Sequence, residues 1–213
     1  MSSVPVQSDR TGGDLPEASE LERLVEQALA LAKSEGATAA EAAASVADGL
    51  SVSVRGGEVE TVEYQRDRSL AITVFIGQRT GSAATSDFRD EAVRDAVAAA
   101  CRIARFTAED PYAGLADADR MAREIPDLDL HHPWGLDAEA AIERALACEH
   151  AARADERITN SEGAGVNAHA GVSTYGNTHG FLQTTRGTRH SIDCAVIAGH
   201  GDHMQRDSWY TVG

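Results

Sequence analysis

The sequence predicts an α+β fold with mostly antiparallel sheets and three main helices. Three stretches repeat apolar residues at helical spacing, whereas several other runs alternate apolar and polar residues with a period of two. Glycine and asparagine separate the alternating runs, as they do in hairpin turns. Because the strands follow one another instead of alternating with helices, we expect antiparallel pairing and not a doubly wound parallel sheet.

The three helices are predicted from their apolar stripes and their end signals. Ser19 and Glu22 have the spacing of a capping box at the start of the first helix. Asp137 is the N-cap candidate of the third helix. The expected bounds are Ser19 to Gly36, about Phe88 to Phe106, and Asp137 to about Asp155. Residues 1–18 are expected to be a flexible tail and residues 19–213 one domain.

Strand patterns fill most of the remaining sequence. Between the second and third helices, Asp110 to Pro133 is expected to be an irregular connection, because Asp, Pro and Gly are scattered through it without a period. The predicted strands run from about Leu50 to Val54, Val59 to Glu63, Leu70 to Ile76, a short run ending near Ser86, the stretch after Ile158, Phe181 to Thr185, Ile192 to Ile197 and Trp209 to Val212. The last run reaches the final residue, which we take as an indication that the chain is truncated before a further domain.

Charge and composition limit the classes of function. The formal net charge of -15 disfavours direct binding to nucleic acid and to anionic membranes. The sequence has neither a membrane-spanning apolar run nor a signal peptide, so a cytoplasmic location is expected. The three cysteines, Cys101, Cys148 and Cys194, lie in apolar patterns and are expected to be buried, reduced thiols.

The eight histidines do not form a metal motif. His150 is the only helical histidine; Glu149 precedes it, but no second histidine lies one turn away. His200 and His203 share a turn with Asp202, and we interpret this turn as a solvated loop because no third ligand is indicated. His131 to Trp134 is likewise interpreted as a loop, with the tryptophan anchoring it on the core.

No nucleophile is predicted either. His190, Ser191 and Asp193 are near neighbours in a strand, where successive side chains point to opposite faces, so they are not expected to form a triad. Cys148 and His150 are two apart on a helix and do not face each other. The predicted sets of catalytic, cofactor-binding and metal-binding residues in this chain are therefore empty.

A glycine-rich stretch from Gly163 to Gly180 lacks the pattern of a phosphate-binding loop. No Lys-Ser or Lys-Thr pair follows it and no G-x-G-x-x-G occurs. Small residues along strands let another backbone approach closely. The stretch is therefore compatible with sheet packing, with a partner interface or with binding of an extended peptide.

Several segments together resemble the amino-terminal domain of the TldD/PmbA family. The stretches that begin at Ile103, Arg157, Tyr175 and Thr188 resemble the PmbA (TldE) side of that family. The segments that carry the likeness are Leu50-Ser-Val-Ser-Val-Arg-Gly-Gly-Glu-Val-Glu, Ser69-Leu-Ala-Ile-Thr-Val-Phe-Ile-Gly, Thr80-Gly-Ser-Ala-Ala-Thr-Ser-Asp, Ile103-Ala-Arg-Phe-Thr-Ala-Glu-Asp-Pro, Arg157-Ile-Thr-Asn-Ser-Glu-Gly-Ala, Tyr175-Gly-Asn-Thr-His-Gly-Phe and Thr188-Arg-His-Ser.

The resemblance implies a role in a zinc metallopeptidase complex that cleaves unfolded or extended peptides. It implies a TldD-like partner with a His-Glu-x-x-x-His zinc motif, whereas PmbA-like subunits are not expected to bind the metal. This sequence has no His-Glu dipeptide, so no catalytic residue is carried over. The chain is then the amino-terminal part of a noncatalytic subunit of a heterodimeric hydrolase. The alternatives are a protein-binding regulatory module acting on gyrase or an antitoxin, and an independent hydrolase using His200 to His203.

Overall fold

The computed structural model describes residues 15–213 of the chain. Residues 1–14, which make up most of the predicted tail, lie outside the described residues. The helices are α1 (Ala18–Ser34), α2 (Asp90–Phe106) and α3 (Ala138–Ala152). The strands are β1 (Ala39–Arg55), β2 (Glu58–Ile76), β3 (Arg79–Thr85), β4 (Ile158–Asn177), β5 (Leu182–Ala198) and β6 (Gln205–Val212). This arrangement confirms the predicted α+β class.

The six strands form one sheet in the order β3-β2-β1-β4-β5-β6, with every neighbouring pair antiparallel. Four of the five pairs are consecutive hairpins, and only β1 and β4 pair across a long connection. The order helix, long strand, long strand, short strand therefore occurs twice, as α1-β1-β2-β3 and as α3-β4-β5-β6. The two units meet through their first strands at the centre of the sheet.

All three helices pack on one face of this sheet. Even-numbered residues of β1 point to that face: those from Ala40 to Val46 pack with α1 and α2, and those from Leu50 to Val54 pack with α3. Alternation along the strand requires the odd-numbered residues to point to the opposite face, which we call the open face. The helix face thus carries two apolar clusters side by side.

Helix ends follow the prediction only in part. The Asp137 side chain accepts a hydrogen bond from the Ala140 amide at 2.9 Å, so the predicted N-cap of α3 is confirmed. The predicted capping box of the first helix is wrong, because α1 already begins at Ala18 and Ser19 lies inside it. Glu17 takes the N-cap position with an extended backbone and no side-chain cap.

Strand lengths differ more from the prediction. β1 begins at Ala39 and not at about Leu50, because pairing with β2 and β4 on both sides holds an alanine-rich segment extended. β2 continues through Tyr64–Ser69, where the prediction had a break between two strands. β5 similarly joins the two predicted runs into one. The connection between α2 and α3 is irregular as predicted, apart from a 3-10 turn at Ala118–Arg120.

Candidate interaction surface

The outer edge of β2 is free over most of its length. β3 pairs with β2 only from Leu70 to Ile76, starting at the Leu70–Thr85 pair. Within the described residues, 58–69 of β2 pair with β1 on the inner side, apart from Glu60 at a register shift, and with no strand on the outer side. We call residues 58–69 the β2 edge. At about 3.3 Å per residue, its twelve residues span about 40 Å of unpaired backbone.

Apolar side chains are exposed along the β2 edge. Val59, Val62 and Tyr64 have relative exposures of 45%, 40% and 49%. Tyr64 is opposite Leu50 and Val62 is opposite Val52, so both point to the helix face, beyond the area that α3 covers. An edge that is only protected from aggregation carries charge or proline, whereas this one also presents an apolar row.

The opposite side of the β2 edge is acidic. Residues 58–65 contain three glutamates and no lysine or arginine, and Asp67 follows. Glu63 pairs with Ser51, which places its side chain on the open face. Over residues 58–65 the β2 edge therefore offers an apolar side and an acidic side to any chain that pairs with its backbone. Arg66 and Arg68 follow on the helix face, opposite Asp48 and Val46.

Glu149 of α3 fixes the hairpin at which the β2 edge begins. Its carboxylate accepts hydrogen bonds of 2.8 Å from the amides of Gly56 and of Gly57. Both glycines have positive φ, of 64° and 86°, which glycine adopts without strain. Burial raises the pKa of Glu149, but hydrogen bonds from the Ser161 hydroxyl and from these two amides outweigh it and hold the pKa below its ordinary value.

The open face of the sheet is lined by small and polar side chains. His169 of β4 lies across β1 at Gly49, where a Cβ atom would stand 2.0 Å from the histidine Nδ1. Near the end of the same strand, the Tyr175 hydroxyl donates to Glu41 at 2.8 Å. Burial raises the pKa of Tyr175, and the hydrogen bond to Glu41 raises it further. These contacts hold the central strands together from the open face.

The glycine-rich stretch proves to be a central strand. Gly163 to Asn177 belong to β4, which is paired with β1 on one side and with β5 on the other. Of the three interpretations of this stretch, the structure supports sheet packing, and an extended peptide cannot add to β4 as a further strand because both of its edges are already paired. The free edge lies two strands away, on β2. The alternation of valine, glutamate and tyrosine from Glu58 to Tyr64 was the sequence signal that could have indicated it.

The histidines named from the sequence are dispersed. Gly201–His203 forms a 3-10 turn between β5 and β6, with His200 at its N-cap position. Nε2 of His190 lies 2.9 Å from the carbonyl oxygen of His132, and its ring stacks at an angle on Trp134. Trp134 packs against the second apolar cluster, as the predicted loop anchor requires.

The structure does not bring His190, Ser191 and Asp193 together, because His190 points to the helix face whereas Ser191 and Asp193 point to the open face. The Ser191 hydroxyl accepts a hydrogen bond from Asn167 at 3.2 Å, and His190 is engaged elsewhere. Nowhere in residues 15–213 do three His, Cys, Asp or Glu side chains come close enough to hold a metal ion.

The cysteines are free, but they are not equally buried. Cys101 is fully buried in the first apolar cluster, as predicted. Cys148 and Cys194 are half-buried, which corrects the prediction of three buried thiols. Cys194 is directly opposite Ala164 and so points to the helix face, where it meets Cys148 of α3. Burial, with smaller contributions from Cys148 and Glu149, raises the pKa of Cys194 to about 11.

Two family models match the chain. Residues 40–104 match the model described as PmbA/TldA metallopeptidase domain 1, and residues 131–212 match the PmbA/TldA metallopeptidase central domain. The first match covers β1 to β3 and most of α2, and the second covers α3 and β4 to β6.

Curated relatives extend over almost the whole chain. A metalloprotease PmbA homologue from Haemophilus influenzae is 47% identical over 194 residues, which is 91% of this chain and 43% of the relative. Metalloprotease PmbA from Escherichia coli O157:H7 is 48% identical, again over 91% of this chain and 43% of the relative. The chain thus spans less than half the length of these relatives.

Solved structures share the fold. A proposed modulator of DNA gyrase from Bacteroides thetaiotaomicron superposes with a TM-score of 0.82 at 22% identity, covering 91% of this chain and 45% of that chain. TldE from Thermococcus kodakarensis gives a TM-score of 0.71 at 15% identity, covering 88% of this chain and 42% of that chain.

Among the described helices, none combines the length and the apolar character needed to cross a membrane.

Proposed function

This chain belongs to the PmbA/TldD metallopeptidase family, and from that premise we propose that it is the amino-terminal part of a noncatalytic, PmbA-type subunit of a two-subunit zinc metallopeptidase. The observation that carries the proposal is the 47% identity to a metalloprotease PmbA homologue along nearly the whole chain. Its substrates are unfolded or extended peptides in the cytoplasm, and its partner is a TldD-like subunit.

The described residues do not fit a metal centre. The histidines near β5 are engaged with backbone carbonyls or lie in separate turns, and in residues 15–213 no cluster of three potential ligands forms. In this proposal the zinc of the complex is bound by the TldD-like partner, as the resemblance of the chain to the PmbA side of the family implies. A zinc-bound water supplies the strong nucleophile that peptide hydrolysis needs at neutral pH. We propose that the two subunits enclose the active site in a chamber and that this domain forms part of its wall.

The decisive experiment compares cleavage of an unstructured peptide by three samples, followed by mass spectrometry. The chain alone, the full-length protein with a TldD-like partner, and that complex with a chelator are assayed in parallel. We expect cleavage only by the complex without chelator. Turnover by the chain alone that a His203→Ala substitution abolishes would instead identify an independent hydrolase.

A second candidate is a protein-binding regulatory module without a peptidase role. It is favoured by the fold shared with a protein described as a proposed modulator of DNA gyrase. Co-purification separates the two functions, because a regulatory module would retain its target without a TldD-like chain. Recovery of a TldD-like subunit with chelator-sensitive activity supports the peptidase subunit.

A further inference from the structure

The outer edges of β2 and β5 are equivalent in the two structural units of the sheet, but only the edge of β5 is covered along its first part. β5 is the counterpart of β2, and β6 covers only its second part, from Ser191 to Ala198, just as β3 covers only the second part of β2. The first part of the β5 edge is nevertheless occupied. The Thr188 amide donates to the Leu130 carbonyl at 2.8 Å, and the His132 amide donates to the Thr188 hydroxyl at 3.0 Å.

The occupant of the β5 edge is an extended piece of the irregular connection. Leu130 also covers Gly187 of β5, at which a Cβ would be in ordinary contact with the leucine. The fold therefore already contains one extended segment laid along the outer edge of the second long strand of a unit. On the β2 edge the corresponding position carries no segment from the described residues.

We propose that the β2 edge binds an extended segment of another polypeptide by strand addition, with apolar and basic residues alternating in that segment. Main-chain hydrogen bonds along an exposed edge provide affinity, and alternate side chains provide specificity. The apolar residues of the segment pack on Val59, Val62 and Tyr64, which are each 40% exposed or more. Its basic residues point to the other side, towards Glu63 and Asp67.

Charge complementarity fixes the chemistry of this segment. The first eight residues of the β2 edge carry three negative charges and no positive charge, within a chain of net charge -15. An acidic segment would meet like charges directly across the strand pair, which is destabilising. A basic segment gains favourable pairs and faster association, and both weaken with added salt.

The inference does not depend on peptidase activity, because binding is measured on the chain without a TldD-like partner. The probe is a fluorescent hexapeptide that alternates valine and lysine, and binding is followed by polarisation. The comparison peptides alternate valine and glutamate, or carry an N-methyl group on every residue of the valine-lysine sequence. N-methylation removes the backbone donors while the side chains stay. We expect either change to weaken binding by about tenfold or more, a difference of about 1.4 kcal/mol.

Matched protein variants locate the site. Glu63→Lys, and Val62→Ser combined with Tyr64→Ser, should each weaken binding of the valine-lysine peptide by about fivefold to tenfold. Glu91→Lys on α2 and Tyr112→Ser in the connection change exposed residues of the same type elsewhere and should leave binding within about twofold. Circular dichroism of each variant confirms that the fold is retained.

Three results would overturn the proposal. One is that the N-methylated peptide binds as tightly as the unmethylated valine-lysine peptide, since binding would then come from charge attraction without strand addition. Another is an unchanged affinity in the Glu63→Lys and Val62→Ser/Tyr64→Ser variants. The third is a stable dimer in light scattering that Glu63→Lys dissociates, since the occupant would then be a second copy of this chain.

Discussion

Glu149 connects three parts of the chain that are far apart in sequence. The carboxylate is buried at 1% exposure and reaches the Gly56-Gly57 turn and Ser161. A buried carboxylate is tolerated only when hydrogen bonds replace its hydration, and here two backbone amides and a hydroxyl do so. The side chain therefore couples helix α3 to the hairpin between β1 and β2 and to the start of β4.

Removing this carboxylate should destabilise the protein. Glu149→Ala leaves the amides of Gly56 and Gly57 unpaired, and we expect a loss of about 2–4 kcal/mol in the free energy of unfolding. Glu149→Gln keeps one acceptor and should cost about half as much. Glu143→Ala, at an exposed position of the same helix, is the control and should change stability by less than about 0.5 kcal/mol. Urea denaturation measures all three, and equal losses for Glu149→Ala and Glu143→Ala would contradict this role.

The same carboxylate should make stability depend on acid pH. Its pKa in the folded state lies below the ordinary value of 4.5, so its contribution is complete above about pH 4.5 and is lost as the pH falls through the folded-state value. The wild type should therefore lose stability on acidification more steeply than Glu149→Gln. Melting temperatures of both proteins, measured side by side from pH 7 downwards, test this. If the melting temperature falls equally with pH in the wild type and in Glu149→Gln, the pH dependence does not come from Glu149.

The cysteines should differ in reactivity with thiol reagents. Cys101 is fully buried and should stay unlabelled in the native protein. Cys194 is half-buried, but its pKa of about 11 keeps it protonated at neutral pH, so it should react slowly. Mass spectrometry of peptides after brief treatment with iodoacetamide gives the order, and rapid labelling of Cys101 would show that the first cluster opens readily.

Residue-level roles were the hardest to predict from sequence. The predicted N-cap Asp137 accepts a hydrogen bond from an amide only three residues away, so the local sequence pattern was sufficient to predict its role. Glu149 acts on glycines more than ninety positions away, so only the tertiary fold reveals its partners. The sequence pattern drew attention to His150 beside it as the possible ligand. The neighbouring glutamate was the residue with a structural role.

At the level of elements, the packing of α2 on β3 depends on Gly81. A Cβ at this position would lie 2.2 Å from the carbonyl oxygen of Ala100 and 2.4 Å from the amide nitrogen of Ala104. These are backbone atoms of α2, so no side-chain rotation relieves the contact. The absence of a side chain thus lets the helix lie directly on the strand.

Gly81→Ala should therefore force α2 away from the sheet. We expect a loss of about 1–3 kcal/mol, the usual cost of overpacking a close contact. Gly171→Ala is the matched control, because its Cβ would stand 3.5 Å from the nearest atom, an ordinary contact distance. Thermal unfolding of both variants measures the effect. Equal melting temperatures for Gly81→Ala and wild type would show that α2 is not held as closely as the structure indicates.

The type of a secondary-structure element was predictable where one face of the element is buried and the other is exposed. The alternation in Leu70 to Ile76 reports a strand with one buried face, and the structure has it. Tyr64 to Ser69 continue the same strand although both of their faces are exposed, so no hydrophobic alternation marked them. Ala40, Ala42 and Ala44 lie on the face of β1 that packs in the first apolar cluster with α1, and alanine alone does not indicate a strand.

At the scale of the whole molecule, the two regions that match separate family models contribute strands to a single sheet. The models divide the chain between residues 104 and 131, yet β1 of the first part pairs with β4 of the second over fourteen residue pairs, from Glu41–Asn177 to Val54–Ala164. α1 also packs on both β1 and β4 and hydrogen-bonds to β5 through Glu22 and Thr184 at 2.8 Å. Separating the parts would therefore expose the long edges of the two central strands and open the first apolar cluster.

We accordingly predict that residues 19–213 unfold as one cooperative unit. Fluorescence of Trp134 and Trp209, both in the second part, and circular dichroism, which reports all helices, should give coincident urea transitions. Fragments 1–108 and 109–213 should aggregate or remain unfolded when expressed separately, because each leaves a central strand without its partner. Co-expression should restore a soluble complex, since the connection at the cut is irregular and needs no covalent continuity to hold β1 against β4. Two separate transitions, or an independently folded 109–213 fragment, would establish two domains in place of one.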